Sequence, residues 1–325
     1  MKFHHRRQFS TVVAALLGFA LDGAIAQTWP AKPIRVIVPL TAGSAADVVP
    51  RIVFEQVSAQ IGQSMIVENR TGGGGTIGAL AVARAEPDGY TILVHSNAHT
   101  IAPAVHANLG YDVVKDFAGI TPLGNVPNVL VIAPSKGIKS IQELVARAKA
   151  VPGTINYASG GTGTPPHLTA ERFRVSAGFT GQHIPFRGAP EALTEVLTGR
   201  VDFYFSPMAP ALPFIRDGRL IPLVVSSTKR SSALPDVLTT VEAGFADSDF
   251  DFYAGMWVPA KTPRPIVARL HAETVKALTS DTVQGKLKNI GVEPMIMTPE
   301  EFDRRVAAEV ANAGVLAKAA GIAAR

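Results

Sequence analysis

From residue 34 onward, short runs of aliphatic and β-branched residues alternate with stretches whose apolar positions recur every three or four residues. The first kind predicts strands and the second predicts helices. The reading begins with a strand at 34–39 and a helix at 45–61 that keeps Val49, Ile52, Val53, Val57 and Ile61 on one face. A strand at 65–68, a helix at 76–84 and a strand at 91–95 follow. A second block opens near Gly124, with a strand at 129–133, a helix at 141–149 and a strand at 156–158. It continues through a helix at 165–177, a strand at 183–185, a helix at 190–197 and strands at 201–205 and 221–226. A strand at 252–258, helices at 263–278 and after Asp281, a strand at 292–295 and a helix at 299–319 complete the pattern. Strands interleaved with helices predict an α/β architecture whose sheets are largely parallel and covered on both faces.

The helix starts carry their own signals. Ser44-Ala45-Ala46-Asp47 and Ser140-Ile141-Gln142-Glu143 both read as capping boxes. Thr164-Pro165 and Thr262-Pro263 place a hydroxyl before proline at the first helical position, and Thr298-Pro299-Glu300-Glu301 combines both devices. Pro50 conflicts with this pattern. It removes a backbone donor inside the first helix, so a kink or a 3₁₀ start is expected there.

With 325 residues the chain is long for one core, and two lobes are expected. Hydrophobic residues make up 47% and charged residues 18%, the balance of a buried globular protein rather than a disordered one. The formal charge of +5 is scattered, with none of the basic runs that a nucleic-acid surface needs. There is no cysteine, which excludes disulfides, thiol nucleophiles and Cys-ligated metals. Lys2, Arg6 and Arg7 precede an apolar run at 11–21 and an Ala24-Ile25-Ala26 site. That order predicts a signal peptide over 1–26, cleaved after Ala26, and a periplasmic mature chain. Arg6-Arg7-Gln8-Phe9 suits twin-arginine export as well as the general secretory route.

Two loops carry the candidate chemistry. Pro39-Leu40-Thr41-Ala42-Gly43-Ser44 and Ser159-Gly160-Gly161-Thr162-Gly163-Thr164 each join a strand to a helix N-terminus. Such ends hold orphan N–H donors and partial positive charge, so they accept an anion without lysine or arginine. One loop per lobe would grip a carboxylate from both sides. The same residues also serve an ordinary strand-to-helix turn. Gly73-x-Gly75-x-x-Gly78 matches a dinucleotide fingerprint, but the next strand ends Leu93-Val94-His95-Ser96, without the ribose-binding acid. Residues 72–75 therefore read as a flexible loop, and no cofactor is expected. His95 and His99 lack a third ligand, so no metal is expected, and His167 and His183 read as structural. There is no Gly-x-Ser-x-Gly elbow, and the capping box accounts for Asp47. Trp29 and Trp257 read as packing residues.

Further along, Lys32-Pro33-Ile34-Arg35-Val36-Ile37-Val38-Pro39 with its Gly-Ser-x-x-Asp loop is joined by Val67-Glu68-Asn69-Arg70, Pro87-Asp88-Gly89-Tyr90-Thr91 and Tyr157-Ala158-Ser159-Gly160. Gly188-Ala189-Pro190, Ile215-Arg216-Asp217-Gly218-Arg219-Leu220 and Pro299-Glu300-Glu301-Phe302 follow in the same order. Together they resemble the Bug family, the TctC-type solute receptors of tripartite tricarboxylate transporters, over nearly all of the chain after residue 26. The resemblance implies a two-lobed periplasmic binding protein of type II, a Venus flytrap. One lobe would comprise 27–123 with 227–325 and the other 124–226. It further implies a monomeric receptor, not an enzyme, that binds a small carboxylate in the cleft and delivers it to membrane transporter subunits. The two loops would hold the carboxylate, making Leu40, Thr41, Ala42, Ser44, Ser159, Gly160, Thr162 and Thr164 candidate contacts. Phe186, Arg187, Asn97 and His99 would shape the distal end. Many relatives carry Asp where this chain has Ser206, and the first loop usually reads Pro-x-x-Gly-Gly. Serine cannot counter an ammonium group, so the expected ligand is a mono-, di- or aromatic carboxylate without one. A sensory receptor of the same fold and an exported α/β hydrolase remain as alternatives.

Overall fold

The computed structural model describes residues 29–250 and 252–319. The signal-peptide reading at 1–26 lies outside the described residues. The strands are β1 (Ile34–Val38), β2 (Met65–Asn69), β3 (Thr91–Ser96), β4 (Phe117–Asn125), β5 (Asn128–Ile132), β6 (Ile155–Ser159), β7 (Gly181–Pro185), β8 (Phe203–Pro207), β9 (Ile221–Val225) and β10 (Tyr253–Pro259). The helices are α1 (Ala45–Ile61), α2 (Thr76–Ala83), α3 (Ala98–Val105), α4 (Ile141–Ala150), α5 (Pro165–Ala177), α6 (Ala189–Leu197), α7 (Met208–Arg216), α8 (Arg264–Leu278), α9 (Asp281–Asn289) and α10 (Pro299–Ala319).

The strands form two five-stranded sheets with the same plan, β2-β1-β3-β10-β4 and β7-β6-β8-β5-β9. Each begins with three parallel strands. Each then receives one strand antiparallel to both neighbours, β10 in the first sheet and β5 in the second. The sheets are therefore mixed rather than largely parallel. The antiparallel strands are those reached as the chain passes between sheets: β5 directly after β4, and β10 on the return after β9. We propose that the lobes follow this partition, with the first crossing just after Asn125, where β4 ends, rather than at 123.

Both faces of each sheet are covered, as the apolar strands require. Ile34, Val36 and Val38 pack beneath α1, α8 and α9, while Ile37 turns to a second core with Phe302 and Val306 of α10. In the other sheet Leu130, Ile132, Phe203 and Phe205 face α4 and α5, and Val129, Val131 and Tyr204 face α6 and α7. Fully buried side chains such as Phe54, Phe173 and Phe302 each contribute roughly 1.5–3 kcal/mol by leaving water. No helix among the described residues is long and apolar enough to cross a membrane.

Several local expectations change. β4, α3 and α7 are elements that the sequence pattern concealed. β4 contains Gly119, Pro122 and Gly124, and it tolerates proline because it is an edge strand with register shifts against β10. α7 continues past Pro213 and α3 past Pro103, so His99 lies on a helix after all. The strand expected at 292–295 reduces to one bridge, Asn125 to Glu293. Residues 73–75 form a 3₁₀ turn rather than an open loop. α1 is α-helical from Ala45, without a 3₁₀ start, and runs on through Pro50. Val49, Val53, Phe54 and Val57 anchor it in the core around the missing donor.

Candidate functional site

Both strand-to-helix loops come together where the two sheets face each other. A cavity of ≈ 30 Å³ lies between them, lined by Leu40, Ser44 and Ala46 on one side and by Gly160, Thr164 and Tyr204 on the other. Ser96, Gly188, Pro207 and Phe252 complete the wall. No lysine, arginine, aspartate or glutamate lines it. Its volume holds roughly two water molecules, less than an organic acid occupies.

The first loop is held by Asp47, in a manner that differs from the capping box. Asp47 Oδ2 accepts from the Gly43 N–H at 2.9 Å, and Oδ1 accepts from Asn69 Nδ2 at 2.9 Å and Arg51 Nε at 3.0 Å. Burial pushes this carboxyl up, but the hydrogen bonds from Arg51, Gly43 and Asn69 outweigh it and hold it below the usual carboxylate range. Asn69 Nδ2 also reaches the Leu40 carbonyl at 2.9 Å. The Asp47 N–H donates to the Ser44 carbonyl at 3.0 Å, so the Ser44 hydroxyl caps nothing. Ser44 Oγ and Thr41 Oγ1 are both buried without a hydrogen-bond partner. Ser44 lies in the cavity wall at the head of α1, where the first N–H groups have no intrahelical acceptor.

The second loop spends its polar groups on itself. The Ser159 hydroxyl sits between the Gly161 N–H at 3.1 Å, the Gly161 carbonyl at 3.0 Å and His183 Nε2 at 2.6 Å. Thr164 Oγ1 donates to the Gly161 carbonyl at 2.6 Å instead of capping α5. The Gly163 N–H donates to His167 Nδ1 at 3.1 Å, and the His167 and His183 rings stack at 3.7 Å. Beneath them the Tyr157 hydroxyl bonds to Glu171, which Arg174 pairs at 2.7 Å. The loop is thus clamped from below by two stacked imidazoles. Pro165 and Pro166 open α5 and carry no N–H, so this helix end offers its dipole with few donors. The expected symmetric grip becomes asymmetric, with the donors concentrated at α1.

Of the remaining candidates, Ala42 is exposed and Thr162 is half-buried, and neither lines this cavity. Asn97 is buried at the start of α3, its carbonyl accepting from Thr100 Oγ1 at 2.8 Å. Ser206 is fully buried behind the wall, its hydroxyl donating to the Pro207 carbonyl at 3.0 Å. His99 does not reach the cleft; it sits in an aromatic core against Phe117 at 4.6 Å and Trp257 at 5.0 Å. Phe186 and Arg187 line a second, larger cavity. Sequence reasoning missed Tyr204 and Gly188. Tyr204 read as one more apolar strand residue, but it shares a face of β8 with Ser206 and lines the cavity. Its hydroxyl is buried without a hydrogen bond of normal geometry, and burial pushes the phenol up.

Residues 49–322 match the family model described as the tripartite tricarboxylate transporter family receptor. Among solved structures, Rpa4515 of R. palustris with adipate superposes with a TM-score of 0.88 at 31% identity, covering 91% of this chain and 100% of that one. The periplasmic binding protein BugD gives 0.86 at 30% identity, over 91% and 100%. MatC of Rhodopseudomonas palustris with bound malate gives 0.83 at 28% identity, over 89% and 99%.

Proposed function

The chain belongs to the tripartite tricarboxylate transporter receptor family, a family of solute receptors rather than enzymes, and from that premise we propose that it captures a small organic carboxylate between its lobes and delivers it to the membrane subunits of such a transporter. It would do so as a monomer in the periplasm, after cleavage behind Ala26. The observation that carries this reading is the unpartnered buried hydroxyl of Ser44 in the cavity wall at the head of α1, joined from the opposite sheet by the Tyr204 hydroxyl, whose contact with Ser206 falls short of normal hydrogen-bond geometry. An unsatisfied buried hydroxyl is costly unless a ligand completes it. A carboxylate oxygen accepts from both, and the α1 N-terminus favours its charge. The adipate and malate of the two related structures are ligands of this class.

The same wall argues against an amino acid. No carboxylate faces the cavity, Asp47 is committed to Gly43, Asn69 and Arg51, and Ser206 supplies no charge. An ammonium group would be desolvated without a counter-ion. The direct test is Ser44→Ala, with carboxylate affinity measured by titration calorimetry and stability by thermal melting. The expected result is a loss of about 10-fold in affinity, since a hydrogen bond to a charged group is worth roughly 1.5–3 kcal/mol. The melting temperature of the unliganded variant should stay level or rise, because the deleted hydroxyl has no partner to lose. Unchanged affinity would remove Ser44 from the site.

A further inference from the structure

One apolar cluster belongs to neither sheet alone. Ile101 and Val105 of α3, Leu168 of α5, Phe250 and Ala317 of α10 are buried together. α3 follows β3 of the first sheet, and α10 packs on β4 of the same sheet. α5 packs on β6 and β8 of the second. Phe250 lies on the return from β9 to β10, where its N–H donates to the Ser226 carbonyl at 2.8 Å. The cluster therefore joins both lobes at a crossing of the chain. Val105 also sits directly over the second loop. A β-carbon on Gly163 would lie 2.8 Å from Val105 Cγ2 and 3.4 Å from its Cβ. Gly163 holds φ 78°, a conformation that favours glycine, so the valine packs on bare backbone. The next residue, Thr164, lines the inner cavity, and Leu168 N–H donates to its carbonyl at 3.1 Å. One loop thus faces the cavity on one side and α3 on the other.

We infer that Val105, Ile101, Gly163 and Leu168 form an apolar clasp between the lobes, which keeps the closed form substantially populated without ligand. The inference rests on the receptor reading and adds to it a share of affinity from residues that touch no ligand. Opening the cleft draws Gly163 and Leu168 off Val105 and Ile101 and returns apolar surface to water. Closing removes it again. Apparent affinity is the intrinsic affinity scaled by the fraction of protein already closed. A clasp that raises this fraction tightens every ligand by one factor, whereas Ser44 acts only through its contact with a carboxylate. Val105 does not line the inner cavity. It is a positioning residue, pressing the second loop into place from the opposite lobe.

The test uses Val105→Ala and, from the other lobe, Leu168→Ala. Titration calorimetry with adipate, malate and benzoate is set beside thermal melting and small-angle X-ray scattering of the unliganded proteins. Removing two buried carbon groups from Val105 lowers the closing constant about 10-fold. For open and closed forms of roughly equal population, every acid that the wild type binds should weaken about 5-fold, with the ratios between acids kept. Leu168→Ala should act in the same way. Each unliganded variant should show a larger radius of gyration than the wild type. Unchanged radii, a loss confined to one acid, or a lowered melting temperature with wild-type affinities would overturn the clasp and leave the receptor reading intact. Larger radii in the variants, with no acid bound even by the wild type, would uphold the clasp and overturn the receptor reading.

Discussion

Replacing Gly188 with alanine is expected to weaken carboxylate binding by about 10- to 100-fold while leaving the melting temperature of the unliganded protein nearly unchanged. Gly188 precedes α6 and faces Thr41 of the first loop across the cleft. An added β-carbon would overlap Thr41 Oγ1 and lie 3.0 Å from Thr41 Cβ and 3.2 Å from Cγ2. Turning the threonine side chain can carry its oxygen away but moves the Cβ not at all, so the 3.0 Å approach to Cβ remains. The backbone is not at fault, because Gly188 has φ 173°, an extended conformation open to any residue. The overlap therefore falls on the approach of the two loops and not on either lobe. Overpacking of this kind costs about 1–3 kcal/mol, charged here only to the closed form. A ligand that draws the lobes together must supply that energy from its own affinity. Titration calorimetry on Gly188→Ala, beside a thermal melt, reads both quantities. Wild-type affinity in the variant would mean that binding does not require this closure.

Acidification should destabilise the protein steeply below pH 6.5. Burial holds His95 down to about 3. Burial, followed by His183 and Arg174, does the same for His167, also to about 3. Burial and the neighbouring His95 hold His99 well below its ordinary value. Each imidazole takes up a proton in the unfolded chain below about pH 6.5, whereas in the folded protein His95 and His167 stay neutral down to about 3 and His99 stays neutral well below its ordinary range. The stability they contribute is whole above pH 6.5 and is lost as the pH falls from there toward 3. Each histidine removes up to ~1.4 kcal/mol per pH unit over that window. Asp303 and Glu171, whose carboxyls burial pushes up, act in the opposite direction at the acid end. Carboxylate binding by the folded protein should hold over that window and fail only toward pH 3, where a protonated His167 cannot accept from the Gly163 N–H that shapes the second loop. Urea titrations between pH 4 and 8 measure the slope. A flat profile between pH 4 and 7 would contradict this assignment.

The fold class was legible because strands such as Ile34–Val38 and Asn128–Ile132 are apolar on both faces and the helices between them are capped. The box at Thr298 forms as read, Thr298 Oγ1 accepting from Glu301 N–H at 3.2 Å and Glu301 accepting from Thr298 N–H at 2.9 Å, while at Ser140 only the hydroxyl half forms, accepting from Glu143 N–H at 3.1 Å as Glu143 turns to Lys139 N–H. The box at Ser44 does not, because its acidic member turns to Gly43, and no spacing rule separates these outcomes. Elements interrupted by proline were invisible. Pro122 and Pro213 look like stops until an edge strand or a packed helix accommodates them. The two loops of the site could be found from their glycines and hydroxyls. The prolines at 165 and 166 already told that the second helix lacks its first donors. The contact of Gly188 with Thr41 and the exposure of Tyr204 to the cavity join residues of opposite lobes, and nothing local in either segment announces them.

The most direct test of the central claim is a thermal-shift measurement of the purified chain against mono-, di- and aromatic carboxylates, with amino acids as the contrast set. A ligand at 100 times its dissociation constant adds about 2.7 kcal/mol to stability, which is readily seen. The account predicts that at least one carboxylate raises the melting temperature by several degrees and that amino acids leave it unchanged. A rise with amino acids and none with carboxylates would contradict it.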